Sequence, residues 1–280
     1  MSIDYEAWLQ YPKIDMHCHV KDHETEAEER ASCEQLIEAG SMLGIGEYWC
    51  SAPITGGAMA DIEQIRVNND SVLRAVQRYS DRIRGMCFVI AGQYQTALDE
   101  VNRCLDAGMI GIKLYNQYTI DDPAVAPVIE LAIERGVPIL EHAGFIEARE
   151  HLDLQPLISN GRHFAAANER YPEAMLIHAH IGGGGDGEQS LRWIGDTSQH
   201  LYCDVSGSNL DDGQVELAVS DLGPERVLFG TDGTMCGSVG KVIDATLDDE
   251  VRRSIFRGNA EAILAVQGAT PLHKIEEGAA

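Results

Sequence analysis

The chain has 280 residues, close to the ~250 at which eight strand-helix units close into a barrel. Its composition, 44% hydrophobic and 24% charged, is that of an ordinary globular protein and excludes wholesale disorder. A formal net charge of −24 would repel phosphate backbones and anionic membrane surfaces, which argues against nucleic-acid and membrane partners.

No run of ~18 apolar residues occurs, and the opening MSIDYEAWLQYPK lacks the basic and apolar regions of a signal peptide, so a cytoplasmic location is expected. The 7 cysteines form an odd set with no CxxC, a pattern of reduced, mostly buried thiols.

Along the chain, β-rich runs alternate with helical spacings. Strands are predicted at KIDMHCH (13–19), SMLGIGEYWC (41–50), RGMCFVIA (84–91) and MIGIKLY (109–115). Four more follow at VPILEH (137–142), AMLIHAH (174–180), HLYCDVS (200–206) and RVLFGT (226–231). Helical patterns between them end on Gly40, Gly108 and Gly136, glycine just past a periodic run being a helix stop. Parallel neighbours need crossover helices, so this alternation predicts an α/β fold, a single (β/α)8 TIM barrel spanning residues 1–280. The last ten residues, PLHKIEEGAA, read as a loosely held tail. An open doubly wound sheet is the alternative; it often carries a glycine-rich loop after the first strand, where this chain has His17, Cys18 and His19.

In a barrel enzyme, functional groups stand at the C-terminal ends of strands. Strand one ends in His17 and His19, strand four carries Lys113 and strand five ends in His142. Strand six ends in His178 and His180, and Asp232 follows strand eight. His17 and His19, two apart, face one side of a strand about 6 to 7 Å from each other and can reach one metal ion. One such pair is as readily a pair of hydrogen-bonded core histidines; the addition of His142 and Asp232 at other strand ends favours a metal site. The five histidines and Asp232 are expected to converge at one mouth of the barrel.

The segments IDMHCH (14–19), GIKLY (111–115), LEHAG (140–144), HAHIGG (178–183), LFGTD (228–232) and RGNAEAIL (257–264) resemble, in order and over nearly the whole chain, the amidohydrolase superfamily of metal-dependent barrel enzymes. The similarity is greatest to its amidohydrolase-related branch of hydrolases and decarboxylases. The resemblance implies that His17, His19 and His142 ligate a metal, that Asp232 binds or borders the metal and moves a proton, and that His180 acts on the substrate or binds a second metal. His178 has no counterpart, and its spacing puts it on the face of His180, beside the site or in the core. The resemblance leaves Lys113 as a carboxylated bridge between two metals or as a cation that orients an anionic substrate, the second being preferred. One divalent metal is expected, zinc first with manganese or iron admissible, and no second metal.

Other residues admit two readings each. Asp15 either orients an imidazole or faces solvent. Trp49, with Glu47 and Tyr48 at the end of strand two, lines a pocket for a planar substrate or merely packs. Arg149 is a candidate for binding a substrate carboxylate, with Arg162 as its rival. The run Gly182 to Gly185 lacks the lysine and hydroxyl of a phosphate loop and reads as a tight turn beside His180.

The leading functional expectation is hydrolysis of a small carboxylated lactone, ester or amide, in which a metal lowers the pKa of water toward ~7, Asp232 takes the proton and His180 serves the oxyanion or leaving group. The alternative is nonoxidative decarboxylation of an aromatic or muconate-like acid, and a noncatalytic metal-binding barrel is the reading from another class. The expected partner is a small-molecule substrate, with homo-oligomerisation left open.

Overall fold

The computed structural model describes residues 3–21, 23, 25–144, 155, 157–181, 186–198, 200–207 and 211–273. Eight strands run in the order of the sequence: β1 (Lys13–His19), β2 (Ile45–Ser51), β3 (Ile83–Phe88), β4 (Gly111–Leu114), β5 (Ile139–Glu141), β6 (Leu176–His178), β7 (Leu201–Asp204) and β8 (Val227–Leu228). Each pairs in parallel with the next. The ring closes where the Met16 N–H donates to Phe229 O (3.0 Å) and the Asp232 N–H to His17 O (2.8 Å). This is the (β/α)8 TIM barrel read from the alternation.

Alternating strand residues divide the core in two, as the pleat requires. Ile14, Met16, Met86, Leu140, Ile177 and Leu228 meet in a cluster inside the barrel. A larger cluster, with Ile45, Val101, Ile112, Leu176 and Cys203 among its members, lies between the strands and the outer helices. Six of the cysteines are buried and Cys236 is exposed, all of them as free thiols.

Local chemistry sets the helix limits. Thr25 and Glu28 cap the helix Glu26–Ser41 reciprocally. Asp61 caps Ile62–Arg78 by accepting from the Gln64 N–H. Gly136, with φ 64°, ends Ala126–Arg135 as expected. Gly40 does not end its helix. It lies within the last turn, where a Cβ would collide with the Tyr48 hydroxyl, and the left-handed residue comes later, at Gly44 (φ 74°).

Most strands are shorter than the runs that announced them, at both ends. Val227–Leu228 is the shortest, and the residues after it continue to bond to β1 through Phe229 and Asp232. At the other end, Leu272 and His273, expected in a loose tail, are bonded to the barrel: the Leu272 N–H donates to Glu47 Oε2 (2.7 Å), and Arg257 holds the His273 carbonyl. Among the described residues, no helix is long and apolar enough to cross a membrane.

Candidate metal and proton-transfer site

Three backbone irregularities aim the side chains of the mouth. In β1, Asp15 pairs with Tyr48 and Cys18 with Cys50, so β1 carries one residue more than β2 over this stretch. Such a bulge breaks strict alternation. Met16 therefore stays in the interior cluster while the neighbouring His17 also turns inward, its ring 5.2 Å from that of His19 and 5.0 Å from that of His180.

The second irregularity is in strand six. Ile177 and Ala179 face the interior cluster, and His178 faces outward to the helix Gly161–Arg170, its ring 4.8 Å from Phe164. Alternation alone would send His180 outward too. Its left-handed backbone, φ 63°, turns the ring back over the mouth. Asp232 is the third, with φ 45°. A non-glycine residue in this region costs of order 1 to 3 kcal/mol and persists only where its surroundings over-determine it, as they do at functional sites.

The groups so placed form one connected constellation. His19 Nε2 lies 2.9 Å from Asp232 Oδ1, and His17 Nε2 lies 3.9 Å from the same oxygen. The ligand atoms of His17, His19 and Asp232 all fall within 4.8 Å of one another. His17 Nδ1 is bound to Asp204 Oδ2 (2.9 Å), and His19 Nδ1 lies 3.1 Å from Ser51 Oγ, so the second nitrogen of each ring has its own partner. Two imidazoles and a carboxylate with no thiolate suit a divalent metal such as zinc or manganese. A second group, His17, His180 and Asp204, also meets the 4.8 Å limit, but it reuses His17, whose Nδ1 Asp204 already engages. His142 belongs to neither group: its Nδ1 faces His180 Nε2 at 3.0 Å, and its ring stacks on Tyr115 with centroids 4.1 Å apart.

Lys113 is fully buried in the mouth, Nζ 3.0 Å from His17 Nε2. Burial lowers its pKa to about 8, against the opposing pull of Asp232, Asp204 and Glu141. Burial likewise pushes His19 down to about 4 and His142 to about 3, and holds His180 well below the usual range, so these rings are neutral. Burial alone would raise Asp232; the hydrogen bond with His19 and the nearby His17 and His180 outweigh it and hold the carboxyl well below its ordinary value.

The other expected positions are redistributed. Trp49 is a correction: β2 continues to Ser51, so the indole is wholly buried among the interior residues and donates to Glu47 Oε1 (3.1 Å) instead of lining the mouth. Among the described residues, no imidazole is hydrogen-bonded to Asp15. It accepts from the N–H groups of His17 (3.1 Å) and Thr231 (2.9 Å) and from the Thr231 hydroxyl (2.6 Å), stitching β1 to the segment after β8. His178 lies outside the mouth, which four of the five named histidines share. Arg149 and Gly182 to Gly185 lie outside the described residues. The Arg162 guanidinium lies 5.9 Å from the Trp193 ring. Asp204, Ser206 and Tyr115 went unread. Their only signal was position, Asp204 and Ser206 at the end of strand seven within HLYCDVS and Tyr115 directly after strand four.

The family model described as amidohydrolase matches residues 14–266. No curated protein matches the chain significantly. Among solved structures, the 2,6-dihydroxybenzoate decarboxylase of Rhizobium superposes with a TM-score of 0.73 at 16% identity, over 92% of this chain and 100% of that one. The dihydroxybenzoic acid decarboxylase of Polaromonas sp. JS666, with bound manganese, gives 0.69 at 18% identity, over 91% and 97% of the two chains. The 5-carboxyvanillate decarboxylase of Sphingomonas paucimobilis gives 0.69 at 15% identity, over 91% and 99%.

Proposed function

The chain belongs to the amidohydrolase family, and from that premise we propose that it is a metal-dependent enzyme that removes CO2 from a small carboxylated aromatic acid without oxidation. The observation that carries this reading is Lys113, a wholly buried cation beside the His17, His19 and Asp232 donor set, with the Tyr115 ring 5.8 Å from its ammonium. A cation next to an aromatic face suits a planar substrate bearing a carboxylate. The fold shared with three decarboxylases supports the same direction.

In this reading His17, His19 and Asp232 hold one divalent ion, zinc or manganese, with His142 at its border. Once bound, the ion supplies positive charge to the substrate's oxygens. Lys113 pairs with the carboxylate. His180 Nε2 and Asp232 Oδ2, 3.7 Å apart, both carry lone pairs in the free protein, and the working proton comes to them from a hydroxyl of the bound substrate. Because burial makes a proton on His180 strongly acidic, it is readily given to the ring carbon that bears the carboxylate. The C–C bond then breaks, its electron pair returns to the ring and CO2 departs.

Hydrolysis of a carboxylated lactone, ester or amide is the second reading, favoured by one feature: Asp232 is held ionised, with a free lone pair to receive a proton from water. Protein loaded with Mn2+ or Zn2+ should be assayed for CO2 release from hydroxylated benzoic acids beside hydrolysis of lactones, esters and amides. Metal-dependent CO2 release, abolished by a chelator, is the expected result. Turnover of a lactone or amide with no CO2 from any acid would replace decarboxylation with hydrolysis.

A further inference from the structure

The carboxylate of Asp204 is fully buried and bonds to two neighbouring segments of the mouth. Its Oδ2 faces His17 Nδ1 at 2.9 Å. Its Oδ1 accepts from the His180 N–H (3.1 Å), from the Ser206 N–H (2.8 Å) and from the Ser206 hydroxyl. The hydroxyl oxygen, its own proton committed to Asp204, lies 2.8 Å from His180 Nδ1 and 3.1 Å from His17 Nδ1. An ionised carboxylate can only accept, and a hydroxyl that has donated its proton can only accept from further partners. Both Nδ1 atoms must therefore carry hydrogen. The other side of His17 agrees, since an ammonium donor, Lys113 Nζ, stands 3.0 Å from Nε2 and requires a lone pair there.

We infer that Asp204 and Ser206 form a clamp that fixes the tautomers of two histidines, Asp204 directing the Nε2 lone pair of His17 to the metal and Ser206 directing that of His180 to the proton-transfer position. The clamp rests on the metal-dependent reading above for its purpose, though not for its geometry. The bond from the His180 N–H to Asp204 also helps hold the left-handed backbone that brings His180 inward. Both are positioning residues: they act through the imidazoles.

The two halves predict different failures. In Asp204→Asn the amide oxygen can still accept from the His180 and Ser206 N–H groups, but the amide nitrogen faces His17 Nδ1. The Nδ1–H keeps only the Ser206 hydroxyl as acceptor, at 3.1 Å, so the ring shifts toward the Nε2–H tautomer, which has no lone pair for a metal. Ser206→Ala removes the acceptor of His180 Nδ1 and leaves His17 with Asp204.

Long-range proton–nitrogen NMR on 15N-histidine protein without metal, followed by Zn2+ titration against a competing chelator, tests both halves. Wild-type protein is expected to show the Nδ1–H tautomer at both His17 and His180. Asp204→Asn should switch His17 to Nε2–H and weaken Zn2+ binding about 10- to 100-fold. Ser206→Ala should disturb His180 alone and leave Zn2+ affinity unchanged, and Ser206→Thr should restore the wild-type spectrum. An Nε2–H tautomer at His17 in the wild type, or Asp204→Asn binding Zn2+ as the wild type does, overturns the inference. Should Asp204→Asn fail to fold, the wild-type tautomers and the Ser206→Ala spectrum decide it. Wild-type protein with both tautomers as assigned and no Zn2+ affinity would support the clamp and refute the metal reading.

Discussion

The barrel buries charge at both ends, in two different arrangements. At the N-terminal end, Glu47 takes Arg84 Nε at 2.6 Å and Trp49 Nε1 at 3.1 Å on one oxygen and the Leu272 N–H at 2.7 Å on the other, while Arg84 also holds the Thr270 carbonyl. Each group there has a complementary partner, and none of these residues has positive φ. At the mouth, imidazole faces imidazole, a lysine ammonium faces a histidine nitrogen, and His180 and Asp232 hold left-handed backbones. Burial of polar groups is common to both ends. What separates them is that one set satisfies itself and ties down the chain, whereas the other is held by strain and by outer partners in an arrangement that an added cation or substrate would complete.

The largest effect that would break this contrast is expected at Asp232. Asp232→Asn keeps the size of the side chain and, because asparagine tolerates positive φ, the backbone as well. It removes the lone pair that accepts the proton. A fall in kcat of about 10² to 10⁴ is expected, with metal content and thermal stability retained. Full turnover in a metal-loaded variant would reduce Asp232 to a structural neighbour and make the mouth resemble the other end.

Arg84→Met should give the opposite phenotype. It leaves the buried Glu47 without its ionic partner, a change that costs about 3 to 5 kcal/mol. In a chain of this size that lowers Tm by roughly 6 to 20 °C, while Zn2+ affinity measured below the transition stays as in the wild type. A variant of unchanged Tm but impaired metal binding would mean that this end also serves the site.

The mouth should also dominate the acid response. Burial holds His19, His142 and His180 at the mouth, and His178 outside it, below their ordinary pKa, so between about pH 4 and 6.5 the unfolded chain binds more protons at these residues than the folded one. Their contribution to stability is lost as the pH falls. Burial raises Asp15 to about 6 and Glu141 well above its usual value, and these two carboxyls act in the opposite sense, losing stability as the pH rises. Four histidines outnumber two carboxyls, so Tm should fall from pH 7 to pH 4.5, at about 1.4 kcal/mol per pH unit for each net proton. Asp15→Asn should steepen the fall by removing an opposing group. A Tm that is flat or rising on acidification would contradict the neutral histidine cluster.

Sequence patterning made the barrel legible because eight β-rich runs and their helices repeat at the spacing parallel pairing demands, and it located His17, His19, Lys113, His142, His180 and Asp232 at strand ends. It could not supply depth. Trp49 was legible as a residue near the end of β2, but the strand ran two residues further, and the indole belongs with Glu47 beneath the mouth. Nor could it supply departures from regular geometry. The bulge between Asp15 and Cys18 and the positive φ of His180 decide which rings face inward, and both arise from closure against neighbouring strands. Asp204 stayed hidden because an acid inside the run LYCDV carries no spacing signal. Its meaning comes from His17, 187 positions away in the chain.

The smallest effect is expected at His178, and it separates strand alternation from function most sharply. His178 and His180 have the parity that would place them on one face, yet His178 packs against Phe164, and its Nε2 has no hydrogen-bond partner among the described residues. Among the described residues its hydrogen bond is from Nδ1 to the Ala179 carbonyl, at 2.8 Å. His178→Leu gives up that bond, about 1 kcal/mol, and also removes a buried nitrogen that no described residue pairs, a gain of similar size. The two nearly cancel, so stability should change by about 1 kcal/mol or less and Zn2+ affinity and kcat not at all. His180→Leu, in contrast, should fold and bind Zn2+ but lose turnover by about 10² or more. Equal losses of activity in the two variants would mean that His178 reaches the substrate and that the turn at His180 does not decide which histidine acts.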